Sequence, residues 1–145
     1  MLKLSLVFAL AVLTFAACTA AKPEAVTPTA AFKAYVEAAN KKDAAAIKQL
    51  LSKGSLKMLE DTAKADGKPL DETIVRQTNP GGGTAAAPET RNEKVEGTNA
   101  TLEIKNAQTG TWDKVYFAQE EGKWKIALDK FMEEMLKGID APEMK

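Results

Sequence analysis

An α+β fold is predicted for this chain from an apolar period of about 3.6 residues over its first half, a period of two over its second, and a glycine-rich break between them. The spacing predicts two or three N-terminal helices packed on a strongly curved antiparallel sheet, with a further helix at the C-terminus. The second half centres on residues 111–128, TWDKVYFAQEEGKWKIAL. Val115 and Phe117 stand two apart, Glu120-Glu121-Gly122 makes a turn, and Trp124, Ile126 and Leu128 again stand two apart. That is a hairpin whose second strand presents an indole to a core.

The 145 residues hold 20 basic and 20 acidic side chains and no His. Counted from Cys18, 19 bases face 20 acids. Such a balance argues against a surface built on many phosphate contacts, so nucleic acid is not expected as a partner. Without imidazole, no His base, nucleophile or metal ligand can operate, and neither a metal nor a cofactor is expected.

Met1-Leu2-Lys3 is a short positive start, and residues 4–17 are apolar apart from Ser5 and Thr14. This run is short for a membrane span and fits a secretory signal. It ends in Phe15-Ala16-Ala17-Cys18, which resembles the bacterial lipoprotein box, with Phe15 replacing the usual Leu. The resemblance implies a signal peptide over residues 1–17 and diacylglyceryl and fatty acyl groups, such as palmitate, on Cys18. Membrane lipid is then a partner through Cys18. Thr19, in place of the Asp linked to inner-membrane retention, implies the outer membrane, facing the periplasm. Cys18 is also the one Cys, so no internal disulfide can form and the domain must be held by its core. Residues 18–28, with two prolines and no periodicity, read as a flexible tether to a domain over residues 29–140.

From Thr29, read as a helix cap, Phe32, Tyr35, Val36 and Ala39 form one stripe of an amphipathic helix. Asp43 caps a second helix with Ala44, Ile47, Leu50 and Leu51 inward. A third starts near Ser52 or Ser55, places Leu56, Leu59 and Ala63 on one face, and stops at Asp66-Gly67-Lys68-Pro69. Residues 70–78 fit a short helix or an irregular strand. The glycine-rich residues 80–88 lack the Lys-Ser/Thr ending of a phosphate loop and read as a connection over the mouth of the sheet. Residues 90–96 form a weak strand anchored by Val95. Ala100, Leu102 and Ile104 alternate with Thr101, Glu103 and Lys105 as a half-buried strand. The strand after it carries aromatics on both faces and is expected to be central. Asp129 then caps a helix whose stripe of Phe131, Met132, Met135, Leu136 and Ile139 is expected to pack on the core or form a modest dimer contact.

Three segments resemble the nuclear transport factor 2-like superfamily, the cystatin-like curved cone, and within it small bacterial lipoproteins with a domain of unknown function. They are AFKAYVEAANKKDAAAIKQLLS from Ala31, ATLEI from Ala100 and VYFAQEEGKWKI from Val115. The resemblance implies a cone-shaped pocket between sheet and helices, with Phe32, Tyr35, Phe117 and Trp124 as its lining. Isomerase-like members place a carboxylate base opposite a Tyr; here Asp113, alternating with Val115 and Phe117, and Tyr35 are the nearest candidates. Dehydratase-like members use His, which this chain lacks. The leading expectation is a lipid-anchored envelope domain with a non-catalytic binding role, for a small apolar ligand or an envelope protein. Alternatives are a structural or assembly module, self-associating through Trp112, Lys114 and Tyr116 as a homodimer, and an isomerase- or hydratase-like enzyme.

Overall fold

In the computed structural model, which describes residues 26–78 and 86–139, the chain opens with helix α1 (Pro28–Asn40). Its cap is Thr27 rather than Thr29: Thr27 Oγ1 accepts from the Ala30 amide at 3.1 Å, and Pro28, with its fixed φ and missing N–H, takes the first helical position. Thr29 instead donates through both its amide and hydroxyl to Glu93 Oε2, at 2.9 and 2.6 Å. Asp43 caps α2 (Ala44–Leu50) as expected, accepting from the Ala46 amide at 2.9 Å. Ser52 caps α3 (Lys53–Asp66), which ends on Gly67 in the left-handed conformation at φ 64°. Residues 70–78, left open between helix and strand, form α4 (Leu70–Thr78) and bury Thr73 and Ile74. Among the described residues, four helices therefore precede the sheet.

The sheet consists of β1 (Thr90–Glu96), β2 (Asn99–Lys105), β3 (Trp112–Glu120) and β4 (Lys123–Ile126), antiparallel in that order. It is curled without closing. The β3–β4 hairpin turns on Glu121 and Gly122, at φ 53° and 76°. Two successive positive φ values make the tight turn whose twist matches the flanking strands. Pairing sets Phe117 opposite Ile126, and Ala100 opposite Phe117, so Ala100, Leu102, Phe117, Trp124 and Ile126 share one face. That face joins Ala31, Phe32, Ile47, Leu51, Leu59 and Ile74 of the helices in one core. Trp124, at 5% exposure, is inside it as the alternation predicted.

The outer face carries Trp112, Lys114 and Tyr116, and α5 (Leu128–Ile139) crosses it, with the Phe131 and Tyr116 ring centroids 6.5 Å apart. Two expectations fail on the periphery. Val95 is 53% exposed, because β1 is an edge strand broken by a bulge between Arg91 and Lys94. Phe131, Met132, Met135 and Leu136 are 42%, 43%, 48% and 56% exposed, so they do not pack in the core. No helix among the described residues is long and apolar enough to cross a membrane.

Candidate functional site

The first two helices and the β3–β4 hairpin do not meet along their whole length, and a groove of about 700 Å³ opens between them. Ala34 and Ala38 of α1, Ala46 and Leu50 of α2, and Trp124 of β4 give it an apolar floor. Alanines on both helices are what leave the space, since each takes the place of a side chain that would reach the hairpin. Charged residues of both signs, Glu37, Lys41, Asp43, Glu120, Lys123 and Lys125, make the rim.

The rim is held in place by local contacts. Lys41 Nζ donates to Glu37 Oε1 at 2.6 Å across one helical turn; that hydrogen bond lowers the Glu37 carboxyl from its usual range and raises the Lys41 ammonium. Both groups stay charged at neutral pH. Lys125 Nζ donates to the Gln49 carbonyl, joining β4 to the end of α2. On the hairpin tip, Glu120 Oε1 accepts from the Lys53 amide at 3.0 Å and Glu121 pairs with Lys53 Nζ at 3.2 Å. The two walls are therefore fixed to one another through α2 and the start of α3.

Of the residues expected to line a cone, Phe32, Phe117 and Trp124 do come together, but at 5%, 0% and 5% exposure they are the core itself. Only Trp124 also borders the groove, which lies outside this aromatic cluster. Tyr35 packs against the cluster from α1, and burial pushes its phenol up to about 12. Asp113 is exposed. It shares a face with Phe117 by alternation, yet it sits at the opposite end of β3, beside the turn at residues 106–111, where Asn106 Nδ2 donates to its carboxylate at 3.0 Å. An exposed carboxylate held at that turn is not placed to take a proton from a ligand in the groove or the core. Cys18 lies outside the described residues.

The outer-face aromatics have internal partners. The Arg91 guanidinium lies 3.9 Å from the centre of the Trp112 ring, and its Nε donates to Glu103 Oε2 at 2.7 Å. With Asn92 donating to the same oxygen at 2.9 Å, the Glu103 carboxyl is lowered from its usual range.

One polar cluster has no counterpart in the expectations. Asp129 sits in the first turn of α5, but its carboxylate faces α3. Asp129 Oδ1 accepts from Ser52 Oγ at 2.8 Å and from Ser55 Oγ at 2.9 Å, while Ser55 Oγ in turn accepts from the Leu128 amide at 2.7 Å. Gly54 makes the approach feasible: a Cβ there would stand 2.2 Å from Asp129 Oδ2. The carboxylate thus lies over the N-terminus of α3, where negative charge is favoured and the helix's own first turn has no acid. Sequence offered Ser52 and Ser55 as alternative starts of α3; nothing in it joins them to a residue more than seventy positions away.

No family model matches the chain, and neither the curated proteins nor the solved structures give a match to it.

Proposed function

We propose that this chain is a lipid-anchored cell-envelope module that binds a partner protein, without catalysis, in the groove between α1, α2 and the β3–β4 hairpin. The observation that carries the binding part is the groove itself. Its volume falls within the range of binding clefts, about 300–1,000 Å³, and it combines an apolar floor with a rim of both charges. A purely apolar small molecule would match the floor while desolvating the charged rim, whereas a peptide segment with alternating polar and apolar side chains can meet both. The anchor part rests on the lipoprotein box ending at Cys18. The curled sheet against N-terminal helices supports keeping the nuclear transport factor 2-like superfamily as the fold relationship.

The competing readings lose their residues. Isomerase chemistry needs Asp113 and Tyr35 at one pocket, and they border the solvent and the core instead. Self-association through the outer face needs free aromatic anchors, and Arg91 and Phe131 already engage Trp112 and Tyr116.

Two measurements test the proposal. Metabolic labelling with an alkynyl fatty acid is expected to mark the parent chain and not Cys18→Ser; label absent from the parent would remove the anchor. A photo-crosslinking residue at Gln49, exposed on the groove, is expected to capture one envelope protein in cells. The same residue at Glu60, exposed on α3, is expected not to capture it. Equal products from the two positions would overturn the groove.

A further inference from the structure

The apolar stripe of α5 is only partly covered by the described residues, Phe131 resting one side against Tyr116. Phe131, Met132, Met135 and Leu136 fall at i, i+1, i+4 and i+5, one side of the helix, and are 42–56% exposed. The other side carries Asp129, Lys130, Glu133, Glu134 and Lys137. A helix with an apolar stripe, a charged opposite face and low net hydrophobicity is the form that lies in the plane of a lipid headgroup region.

The position of the helix relative to the tether selects the occupant. The described chain starts at Val26, and an extended segment from Cys18 can span at most about 29 Å. The root of that segment is pinned, because Thr29 is bonded twice to Glu93 of β1. On the same strand, Lys94 and Glu96 border the cleft beneath α5, facing Lys130 and Glu133. Three residues of strand cover only about 10 Å, so the tether root and α5 meet the same stretch of β1 from the two faces of the sheet, within reach of the segment from Cys18. Area argues in the same direction. At roughly 200 Å² per large apolar side chain, the exposed fractions offer on the order of 400 Å², about half of the ~800 Å² per partner that a stable protein complex buries.

We infer that α5 is a second membrane contact: it lies in the headgroup region of the bilayer that holds Cys18, with Phe131, Met132, Met135 and Leu136 inserted. This rests on the anchored reading above. The charges of α5 are mixed and partly engaged, Lys137 with Glu134 at 2.7 Å and Lys130 with Asn99. Insertion is therefore driven by apolar burial, and neither salt nor anionic lipid governs it. The tether keeps the helix at high effective concentration over the surface, so a small stripe suffices.

Hydrogen exchange of the α5 amides tests this. The acylated full chain in phosphatidylcholine vesicles is compared with Cys18→Ser free in solution. Exchange is expected to be at least tenfold slower in the vesicles, to stay so in 0.5 M NaCl, and to lose the protection in Met135→Glu/Leu136→Glu. The melting temperature of that double variant, in the Cys18→Ser background in solution, is expected to match Cys18→Ser. Equal exchange in the two states would overturn the inference. So would protection that appears in Cys18→Ser without lipid and rises with protein concentration, since a second copy would then be the cover. If mass spectrometry finds Cys18 without acyl groups, the anchored reading fails separately. Phosphatidylcholine vesicles added to that chain then decide for α5, with protection supporting the contact and its absence refuting it.

Discussion

Phe117 and Tyr116 are neighbours on the central strand, and the two sides of the sheet that they represent are built to different standards. Phe117 is fully buried in the one core that helices α1 to α4 share with β2 and β4. Tyr116 is half-buried under a single helix whose own apolar stripe stays about half exposed. Similar side-chain chemistry thus serves two purposes. The inner face supplies the folding free energy of a domain whose single Cys can form no internal disulfide, and the outer face leaves apolar surface exposed.

Substitutions can sharpen this contrast. Trp124→Ala is expected to have the largest effect, a loss of about 3–5 kcal/mol, as for other large aromatics removed from packed cores. That is a large part of a small domain's stability, and urea denaturation of Cys18→Ser protein would show it; a midpoint close to the parent would contradict the placement of the indole. Gly54→Ala follows, at about 1–3 kcal/mol, because the new Cβ displaces the Asp129 carboxylate. Its cost should shrink when Asp129→Ala is also present, and strict additivity would mean that the strain lies elsewhere.

Thr73→Val tests the inner face from the opposite direction. The Thr73 hydroxyl is buried with no hydrogen-bond partner among the described residues. Exchanging it for a methyl of similar shape is expected to gain about 1 kcal/mol, read as a higher denaturation midpoint, and a lower one would reveal a partner for the hydroxyl. Tyr35→Phe acts only in alkali. The folded phenol is raised from its ordinary 10.0 to about 12, so the folded chain holds that proton more tightly than the unfolded one. The stability it contributes is complete below the unfolded value and declines as pH rises from 10 towards 12. The variant should lose less stability than the parent over that interval, and parallel curves would place the ring in water. Met135→Ser, on the outer face, should change stability by no more than about 0.5 kcal/mol. A larger loss would move α5 from the surface into the core.

The inner face was legible in the sequence because its signals are local. Alternation assigned Ala100, Leu102, Phe117 and Ile126 to one side, Asp43 announced α2, and Gly67 with Pro69 announced the end of α3. What was not legible depends on the space between elements. Whether Phe32, Tyr35, Phe117 and Trp124 enclose a cone or fill it is decided by how closely α1 approaches the sheet, and a periodic stripe is the same in both cases. Asp113 shows the limit of alternation: the period of two gives its side of the strand but not whether a helix reaches that far. Cap assignment failed at Thr29 and Asp129 for a related reason, since each hydroxyl or carboxylate found a stronger partner far along the chain, Glu93 in one case and the Ser52–Ser55 pair in the other.

The join between residues 51–52 and β4 bears on how copies of the chain could meet edge to edge. Leu51 runs parallel to Ile126 as an isolated bridge, and the Ser52 amide donates to the Ile126 carbonyl at 2.9 Å. This short rung occupies the outer border of β4, while the bulge and the positive φ of Asn92 disturb the border of β1. Fibre growth by strand addition needs two regular, open borders on every copy. This chain has one border interrupted at Ile126 and one bent at the bulge, so neither offers a long regular template for strand addition.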